Sequence, residues 1–491
     1  MQLKSNIVRL LVLLLCLAML LPAFAACKEE GNVENTKEVA ADGIAEDDGF
    51  VKDNLPDDLN FNDEFLILSA ENQKMHYFAE ETDESTVGQA IFARNHTVED
   101  RLGIELKWDH QPCFKSEDKE AFAKMVETDI QAGNEIDCVV SYNLVPYTLA
   151  VNGYCENLAK TPYIDLEMPW WPDEYLGTML YKGQIFALVD NAGVGTLANL
   201  SCIFFNNDLL EARKLESPYD LVANNEWTIP KLKEMIVGTY EDLDNTQNKS
   251  DADMYGLCTS TYARVTCWYY GAGIRFSDLD DNGDLVLNTD VEGISKKLDA
   301  IIDLFNTEDS LLNEKNQYVM FREQRAYFYL CVLDLCSDLV NKNVEINYGV
   351  APNPKLDSEQ DRYYTHMPNT HDTWFIPTGV DSLECSSAFI ECMASEAYRK
   401  VNPVYFETNL KIRYAPDSRL ANMYDLVRES ITFDFVYIYQ AVMGGDCNDQ
   451  IRSCIKKPTG KNWATRWAEI KSKVETNFQD VLATYEARAE E

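Results

Sequence analysis

The stretch FLIL, residues 65–68, is a continuous apolar run of the kind that forms a strand covered on both faces of a sheet. Apolar residues at helical spacing follow over 85–102, and residues 104–108 again have the pattern of a strand. A helix over 117–132 and a third strand over 136–140 come next. Because strand and helix alternate through this region, the sequence predicts an α/β fold with a largely parallel sheet.

The rest of the chain continues this alternation less regularly. Strands are predicted over 184–189, 202–205 and 347–351, and helices are predicted from Thr228, from Asp290 and over 384–398, 419–430 and 462–485. A single core rarely grows beyond about 300 residues, and this chain has 491. The sequence therefore predicts an α/β body of two lobes.

Residues 1–26 have the pattern of a secretory signal peptide of the lipoprotein type. Lys4 and Arg9 precede an apolar core over 10–21, which is too short to cross a bilayer. Small residues then lead to Cys27, the position that a bacterial lipoprotein modifies with lipid, although Phe24 stands where such signals usually carry Leu. We therefore predict export with a lipid anchor on Cys27, and simple release of the chain is the alternative.

The segment that follows Cys27 is acidic and poor in apolar residues. Residues 28–60 contain eleven acidic residues, three lysines and one aromatic residue, Phe50. Such a composition buries too little apolar surface to offset the entropy of folding. We therefore predict a disordered acidic tether over 27–61, with a mean reach of about 30 Å.

The charge of the chain limits its partners. The 82 acidic residues outnumber the 43 lysines and arginines, which gives a formal net charge of −39. Affinity for nucleic acid depends on neutralising phosphates with Lys and Arg, so this balance excludes a nucleic acid partner. Neutral ligands are compatible with it.

The cysteines offer two interpretations. Of the 14, Cys16 lies in the signal and Cys27 is the lipidation candidate, and the spacings of the others do not fit a zinc site. Disulfides would be compatible with export, but buried cysteine also packs as a small apolar residue. A chain of this length does not need disulfides for stability, so we favour mostly free thiols.

Motifs of catalysis and of metal binding are absent from the sequence. It contains no GxSxG, HExxH or GxxxxGK[ST], and Pro368 argues against one helix that presents both His366 and His371. The acidic stretches 242–253 and 278–284 lack the complete calcium-loop pattern, so solvated turns are predicted there. No metal and no cofactor is predicted, although two of the many carboxylates could serve a glycan hydrolase.

Aromatic residues are frequent, with 8 Trp, 26 Tyr and 21 Phe. Pyranose rings present flat C–H faces on which aromatic side chains stack, while neighbouring polar residues bind the hydroxyls. Several aromatic residues lie beside predicted turns, where a buried helix face is not the obvious explanation, and these are Tyr142, Trp170, Trp171, Trp268, Tyr269, Tyr270 and Trp374. They are candidate sugar contacts, and packing in a core is the alternative for each.

From about residue 62 to the C terminus, the chain resembles the extracellular solute-binding proteins of family 1, the sugar-binding lipoprotein receptors of ABC importers. It is most similar to those of Gram-positive gut anaerobes. The order and spacing of several segments carry the resemblance, among them VGQAIFARNHTVEDRLGIELKW at 87–108, MPWWPDEY at 168–175, DADMYGL at 251–257, YGVAPNPKLDSEQDRYYT at 348–365 and YFETNLKIRYAPDS at 405–418.

The resemblance implies a class II periplasmic-binding-protein-like fold, in which two α/β lobes are joined by a hinge that the chain crosses three times. Lobe 1 would comprise 62–197 plus 345–382, and lobe 2 would comprise 198–344 plus 383–491. It also implies a ligand cleft between the lobes, with walls that we assign to Tyr142, Trp268, Tyr269 and Trp374 as stacking rings, Asp190 and Asn191 as hydroxyl ligands, and Trp170 and Trp171 as secondary candidates.

The function implied by the resemblance is capture of a neutral sugar or oligosaccharide. A monomeric lipoprotein would deliver this ligand, chemically unchanged, to the permease of an ABC importer, so no enzymatic activity is implied. A surface glycan hydrolase, or a binding protein for a peptide or another solute, is the alternative.

Overall fold

The computed structural model describes residues 50–190, 193–260, 264–312, 315–413, 418–443 and 447–489. The predicted signal peptide, the predicted lipidation site Cys27 and the predicted ligand residue Asn191 lie outside these ranges. Within the described part of the chain, no helix is both long enough and apolar enough to cross a membrane.

The strands of the described residues form two larger sheets and two small ones. They are β1 (Asp63–Ala70), β2 (Ile104–Gln111), β3 (Cys138–Tyr142), β4 (Ser201–Asn206), β5 (Tyr255–Thr259), β6 (Ser277–Leu279), β7 (Leu285–Leu287), β8 (Ser310–Leu312), β9 (Ala326–Val332), β10 (Tyr348–Ala351), β11 (Thr365–His366), β12 (Asp372–Phe375) and β13 (Ile431–Thr432).

The α-helices of the described residues lie between and after these strands. They are α1 (Thr86–Leu102), α2 (Ser116–Ala132), α3 (Leu144–Val151), α4 (Asp173–Met179), α5 (Val194–Ala198), α6 (Asn207–Ala212), α7 (Pro218–Ala223), α8 (Ile229–Ile236), α9 (Val265–Gly271), α10 (Val291–Phe305), α11 (Gln317–Arg322), α12 (Asp334–Asn341), α13 (Leu383–Glu396), α14 (Ser418–Glu429), α15 (Phe435–Ile438), α16 (Gln440–Met443), α17 (Cys447–Lys456) and α18 (Trp463–Ala489). Short 3-10 turns cover Glu71–His76 and Leu158–Lys160, and π-helical segments cover Ala397–Val401 and Pro403–Arg413.

The first sheet has the strand order β12-β3-β1-β2. β1 is parallel to β2 along its length, from Asp63 opposite Ile104 to Ala70 opposite Gln111, and it is also parallel to β3. Only β12 is antiparallel, through its pairing with β3. The apolar run 65–68 forms the centre of β1, so the predicted, largely parallel sheet is confirmed.

The second sheet has the strand order β10-β4-β9-β5-β8. β5 is parallel to β8 and β9, whereas β4 is antiparallel to β9 and β10. The carboxyl ends of β5, β8 and β9 therefore lie at one edge of this sheet, and α12 begins at Asp334 directly after β9.

Side-chain caps explain where several helices begin. The hydroxyl of Ser85 accepts a hydrogen bond from the Gly88 amide at the start of α1, and Thr228 caps α8 in the same way through the Lys231 amide. Asp290 caps α10 through the amide of Gly293. The predicted helix starts at Thr228 and Asp290 are therefore confirmed.

Three predicted placements differ from the structure. Residues 184–189 form only isolated bridges, including one between Leu188 and Trp374, instead of a strand. β10 pairs with β4 of the second sheet, where it covers that strand's open edge, although the sequence places 345–382 in lobe 1. Phe389 of α13 packs on Phe65 of β1, with ring centroids 4.5 Å apart, so α13 covers the first sheet although the sequence places 383–491 in lobe 2.

The body of the protein begins earlier than the composition predicts. Asp53 is buried and accepts hydrogen bonds from Arg101, with Arg101 Nη2 2.6 Å from Asp53 Oδ1, and Leu55 is buried in the core. A buried carboxylate needs such a partner, and the guanidinium supplies it. The prediction of a disordered segment up to residue 61 is therefore wrong for residues 50–61.

The cysteines of the described chain are all buried, and none of these twelve takes part in a disulfide. This agrees with the free thiols favoured from the sequence. Burial also raises the pKa of two of these thiols, to about 11 for Cys113 and about 12 for Cys336, so those two stay protonated at neutral pH.

Candidate functional site

The carboxyl ends of β1, β2 and β3 lie at one edge of the first sheet because these strands are parallel. β12 runs in the opposite direction, so it begins at this same edge, with Asp372 paired to Tyr142 of β3. Ligands of open α/β sheets bind beside the carboxyl ends of the strands. We call this border the carboxyl edge of the first sheet.

The 3-10 turn Glu71–His76 follows β1 directly and places two polar side chains at the carboxyl edge. Gln73 Nε2 donates a hydrogen bond to the carbonyl oxygen of Thr370. His76 Nδ1 lies 2.9 Å from Asp372 Oδ2. The turn and the start of β12 therefore form one polar cluster of Gln73, His76 and Asp372. His76 and Asp372 are 296 residues apart in the sequence.

Two acceptor atoms of this cluster lack donors. Gln73 and Asp372 are both buried, and no hydrogen bond from the described residues reaches Gln73 Oε1 or Asp372 Oδ1. A buried polar group without a partner costs about 1–3 kcal/mol. A hydroxyl donor of a ligand would remove this cost in an arrangement of the two sheets that opens these atoms to the ligand.

The second sheet contributes a charge to the same place. The charge of Asp334, at the start of α12, acts on His76 together with that of Asp372. Burial lowers the pKa of His76, but the charge and hydrogen bond of Asp372 outweigh it and hold the pKa above its usual value. Asp334 keeps accessible surface, and desolvation raises its pKa.

The segment that leads into the second sheet also touches the cluster. A Cβ on Gly195 of α5 would lie 1.8 Å from Asp372 Oδ2 and 2.8 Å from His76 Nδ1, so only glycine fits. Thr370 Oγ1 donates a hydrogen bond to Asn199 Oδ1 at 2.7 Å. We call Gln73, His76, Asp334 and Asp372 the edge cluster.

Trp268 and Tyr269, predicted as stacking rings, are buried in α9 instead. Trp268 Nε1 donates to Thr259 Oγ1 at 2.8 Å, and its ring packs edge-on against Phe305, with centroids 5.2 Å apart. The hydroxyl of Tyr269 donates to Asn448. Both rings are buried in the core beside the second sheet, so in this structure they are not open to a ligand.

Trp374 is also a core residue. It lies in β12, where its ring packs edge-on against Phe389 at 6.0 Å and Tyr77 at 5.9 Å. Trp170 and Trp171 are buried as well, and Trp171 Nε1 donates to Glu391 at 3.3 Å. The structure therefore favours the packing alternative for these three residues.

Tyr142 lies beside the edge cluster, and Asp190 is buried elsewhere along the chain that leads to α5. Tyr142 ends β3 opposite Asp372 but is only 5% exposed, and burial together with the charge of Asp372 raises its pKa to about 12. Asp190 is buried against the backbone of Gly193, where a Cβ would lie 2.4 Å from Asp190 Oδ1. Their assignment as ligand residues stays a prediction.

Gln73, His76 and Asp372 were not identified from the sequence, because no motif links residues this far apart. The signal that could have found them is their position directly after β1 and at the start of β12. The same reasoning identifies Met75 and Phe114, which follow β1 and β2 and are 59% and 58% exposed.

The acidic stretches have two different structures. Residues 278–284 belong to the hairpin of β6 and β7, as the predicted turn requires. Asp242, Asp244 and Asp253 bring one carboxylate oxygen each within 4.8 Å of one another. Loop amides already bond these carboxylates, for example that of Ser250 to Asp253 at 2.9 Å, and we assign no ion to them.

A recess of about 490 Å³ lies between α4, the hairpin of β6 and β7, and the residues beside β11 and β13. The arginine side chains that line it already have partners within the recess. Arg362 pairs with Glu174, and the guanidinium groups of Arg362 and Arg275 lie 5.2 and 4.7 Å from the ring of Tyr364. This recess contains none of the residues of the edge cluster.

No family model matches the chain, and no curated protein matches it. Solved structures do. The sugar-binding protein MalE from Xanthomonas citri aligns with a TM-score of 0.55 at 12% identity, over 87% of this chain and 100% of that chain. The GacH receptor of Streptomyces glaucescens, solved unliganded and with acarbose, gives 0.54 at 14% identity, over 86% and 99%.

MalX from Streptococcus pneumoniae, solved in complex with maltopentaose, gives a TM-score of 0.52 at 15% identity, over 84% of this chain and 99% of that chain. At these identities the likeness concerns the fold. The chain therefore has the two-lobe α/β fold of sugar-binding solute-binding proteins, as the sequence predicts.

Proposed function

We propose that the protein is the solute-binding component of an ABC importer and that it captures a neutral oligosaccharide at the edge cluster. The observation that carries this proposal is the pair of buried acceptors without donors, Gln73 Oε1 and Asp372 Oδ1. A carbohydrate presents many hydroxyl donors on a compact frame, so it would satisfy both atoms at once.

The charge of the site supports a neutral ligand. The edge cluster contains two carboxylates, Asp334 and Asp372, and one imidazole, in a chain with a net charge of −39. An anionic ligand would meet repulsion there that a hydroxyl group does not. The solved structures with the same fold support the same class, because they include complexes with acarbose and maltopentaose.

The position of the site between the two sheets supports capture by closure. Asp372 and His76 belong to the first sheet, whereas Asp334 follows β9 of the second. A ligand that contacts both sides favours the closed arrangement by its additional binding free energy in that state. The permease of the importer would then recognise the closed form.

The N-terminal sequence supports a location outside the cell. We propose that the chain is exported, retains a lipid on Cys27, and acts as a monomer beside its permease at the membrane surface. Incorporation of a radiolabelled fatty acid into the wild-type chain, but not into Cys27→Ala, is the expected result. Equal labelling of both chains, or no labelling of either, would contradict the anchor.

Titration calorimetry with maltotetraose, cellotetraose, xylotetraose and mannotetraose tests the proposed function. We expect at least one of them to bind with micromolar or tighter affinity and to raise the melting temperature. Chromatography after overnight incubation should recover that ligand intact. New reducing ends would indicate a glycan hydrolase, and the absence of binding by all four would contradict the proposal.

A further inference from the structure

One exposed aromatic ring lies at the carboxyl edge of the first sheet. Phe114 comes three residues after the last residue of β2, Gln111, and is 58% exposed. Exposing so much of a phenylalanine forgoes the stabilisation that its burial would contribute. Met75, in the turn after the neighbouring strand β1, is exposed to the same extent. Two large apolar side chains therefore face solvent at the edge where the ligand is proposed to bind.

The ring of Phe114 is held in place by its neighbours. It lies 6.2 Å from the ring of Tyr142, centroid to centroid. The ammonium of Lys119 lies 5.9 Å from the Phe114 ring and 5.1 Å from the Tyr142 ring, and it also donates to the carbonyl oxygen of Phe114. A ring supported in this way loses little conformational entropy when a ligand covers it.

The ring is continuous with the edge cluster. Tyr142, which contacts Phe114, is the register partner of Asp372 across β3 and β12. Tyr142 therefore lies next to both Asp372, which carries the oxygen without a donor, and the exposed ring. A polar site and an apolar platform thus lie next to each other along one edge.

We propose that Phe114 is a stacking platform for a sugar unit of the ligand, which makes the ligand an oligosaccharide of at least two units. One unit would donate hydroxyl hydrogen bonds to Asp372 and Gln73, and a neighbouring unit would lay its C–H face on Phe114. This inference rests on the proposed function. It adds a minimum length for the ligand and names the residue that contacts its second sugar unit.

The test compares Phe114→Ala and Phe114→Trp by calorimetry with the tetrasaccharide that the wild-type chain binds most tightly among the four named above. We expect Phe114→Ala to raise the dissociation constant for the tetrasaccharide on the order of tenfold and Phe114→Trp to retain wild-type affinity. The constant for the corresponding monosaccharide, measured by competition, should be the same in all three chains. Leu279→Ala removes an exposed apolar residue, 48% exposed, from the hairpin strand β6 and is the matched control.

The outcomes separate this inference from the proposed function. If the wild-type chain binds a tetrasaccharide and Phe114→Ala binds it equally well, the platform is refuted and the proposed function stands. If Phe114→Ala weakens the monosaccharide and the tetrasaccharide by the same factor, the ring is not a separate subsite. If the wild-type chain binds none of the four sugars, both the inference and the proposed function fail.

Discussion

The regions around Trp268 and Phe114 show how differently the same class of side chain is used in this molecule. Trp268 belongs to an aromatic stretch before a glycine and looks like a ligand platform in sequence, yet it is buried against Phe305 and bonded to Thr259. Phe114 is a single ring between a cysteine and a lysine, yet more than half of it faces solvent at the edge of a sheet. Aromatic density therefore indicates the core here, and position relative to a strand end identifies the proposed site.

The largest effect expected from this contrast concerns stability. Trp268→Ala should lower the free energy of unfolding by about 3–5 kcal/mol, because it leaves a cavity in the core and deprives Thr259 of its donor. Phe114→Ala should change it by about 0.5 kcal/mol or less, since the ring is exposed. Urea denaturation of both variants measures this difference, and equal losses would contradict the contrast.

A second effect concerns ligand affinity at the edge cluster. Asp372→Ala removes both the acceptor without a donor and the partner of His76, so we expect a roughly tenfold weaker dissociation constant for the oligosaccharide. Glu64→Ala is the control, because Glu64 is an exposed acid near the opposite end of β1. Calorimetry that finds the two variants equally affected would remove Asp372 from the site.

A smaller effect is expected from pH. The pKa of His76 in the folded protein lies above its usual value because Asp372 outweighs the effect of burial. The stabilisation by this pair is therefore fully present below pH of about 6.5 and is lost as the pH rises through the folded-state pKa. The melting temperature of the wild-type chain should fall more steeply above that pH than the melting temperature of His76→Gln. Parallel profiles would show that the pair does not titrate in this way.

The smallest effect is expected from reducing agents. The twelve cysteines of the described chain are buried and outside disulfides, so a reductant should leave the melting temperature unchanged in a chain that begins after Cys27. A thiol reagent should label them only after unfolding, since burial hinders access. A melting temperature that drops with reductant would indicate disulfides.

The fold was largely predictable because its signals are local. The apolar run at 65–68, the periodicity of 85–102 and the caps Thr228 and Asp290 each specify an element within a few residues. The partners of β10 and α13 were not predictable in this way. Both elements are apolar enough to cover either sheet, and only the three-dimensional arrangement selects one.

The candidate site was much less predictable. His76 and Asp372 are an ordinary histidine and an ordinary aspartate until a parallel and an antiparallel strand bring them to the same edge. Burial is equally hard to predict from local patterns. Trp374 lies in β12 and packs under α13, whereas Phe114 lies in the loop after β2 and faces solvent. Ligand contact by Trp374 stays an untested prediction from the sequence, and ligand contact by Phe114 is a proposal from the structure.

Gly195 has a consequence for how the two halves of the protein approach each other. It stands six residues before β4, the strand that opens the second sheet, and its backbone rests directly on the carboxylate of Asp372 in the first. Even one methyl group at this position would act as a spacer and push the strand-bearing segment outward. The absence of a side chain at this position therefore sets how closely the segment before β4 approaches Asp372 of the first sheet.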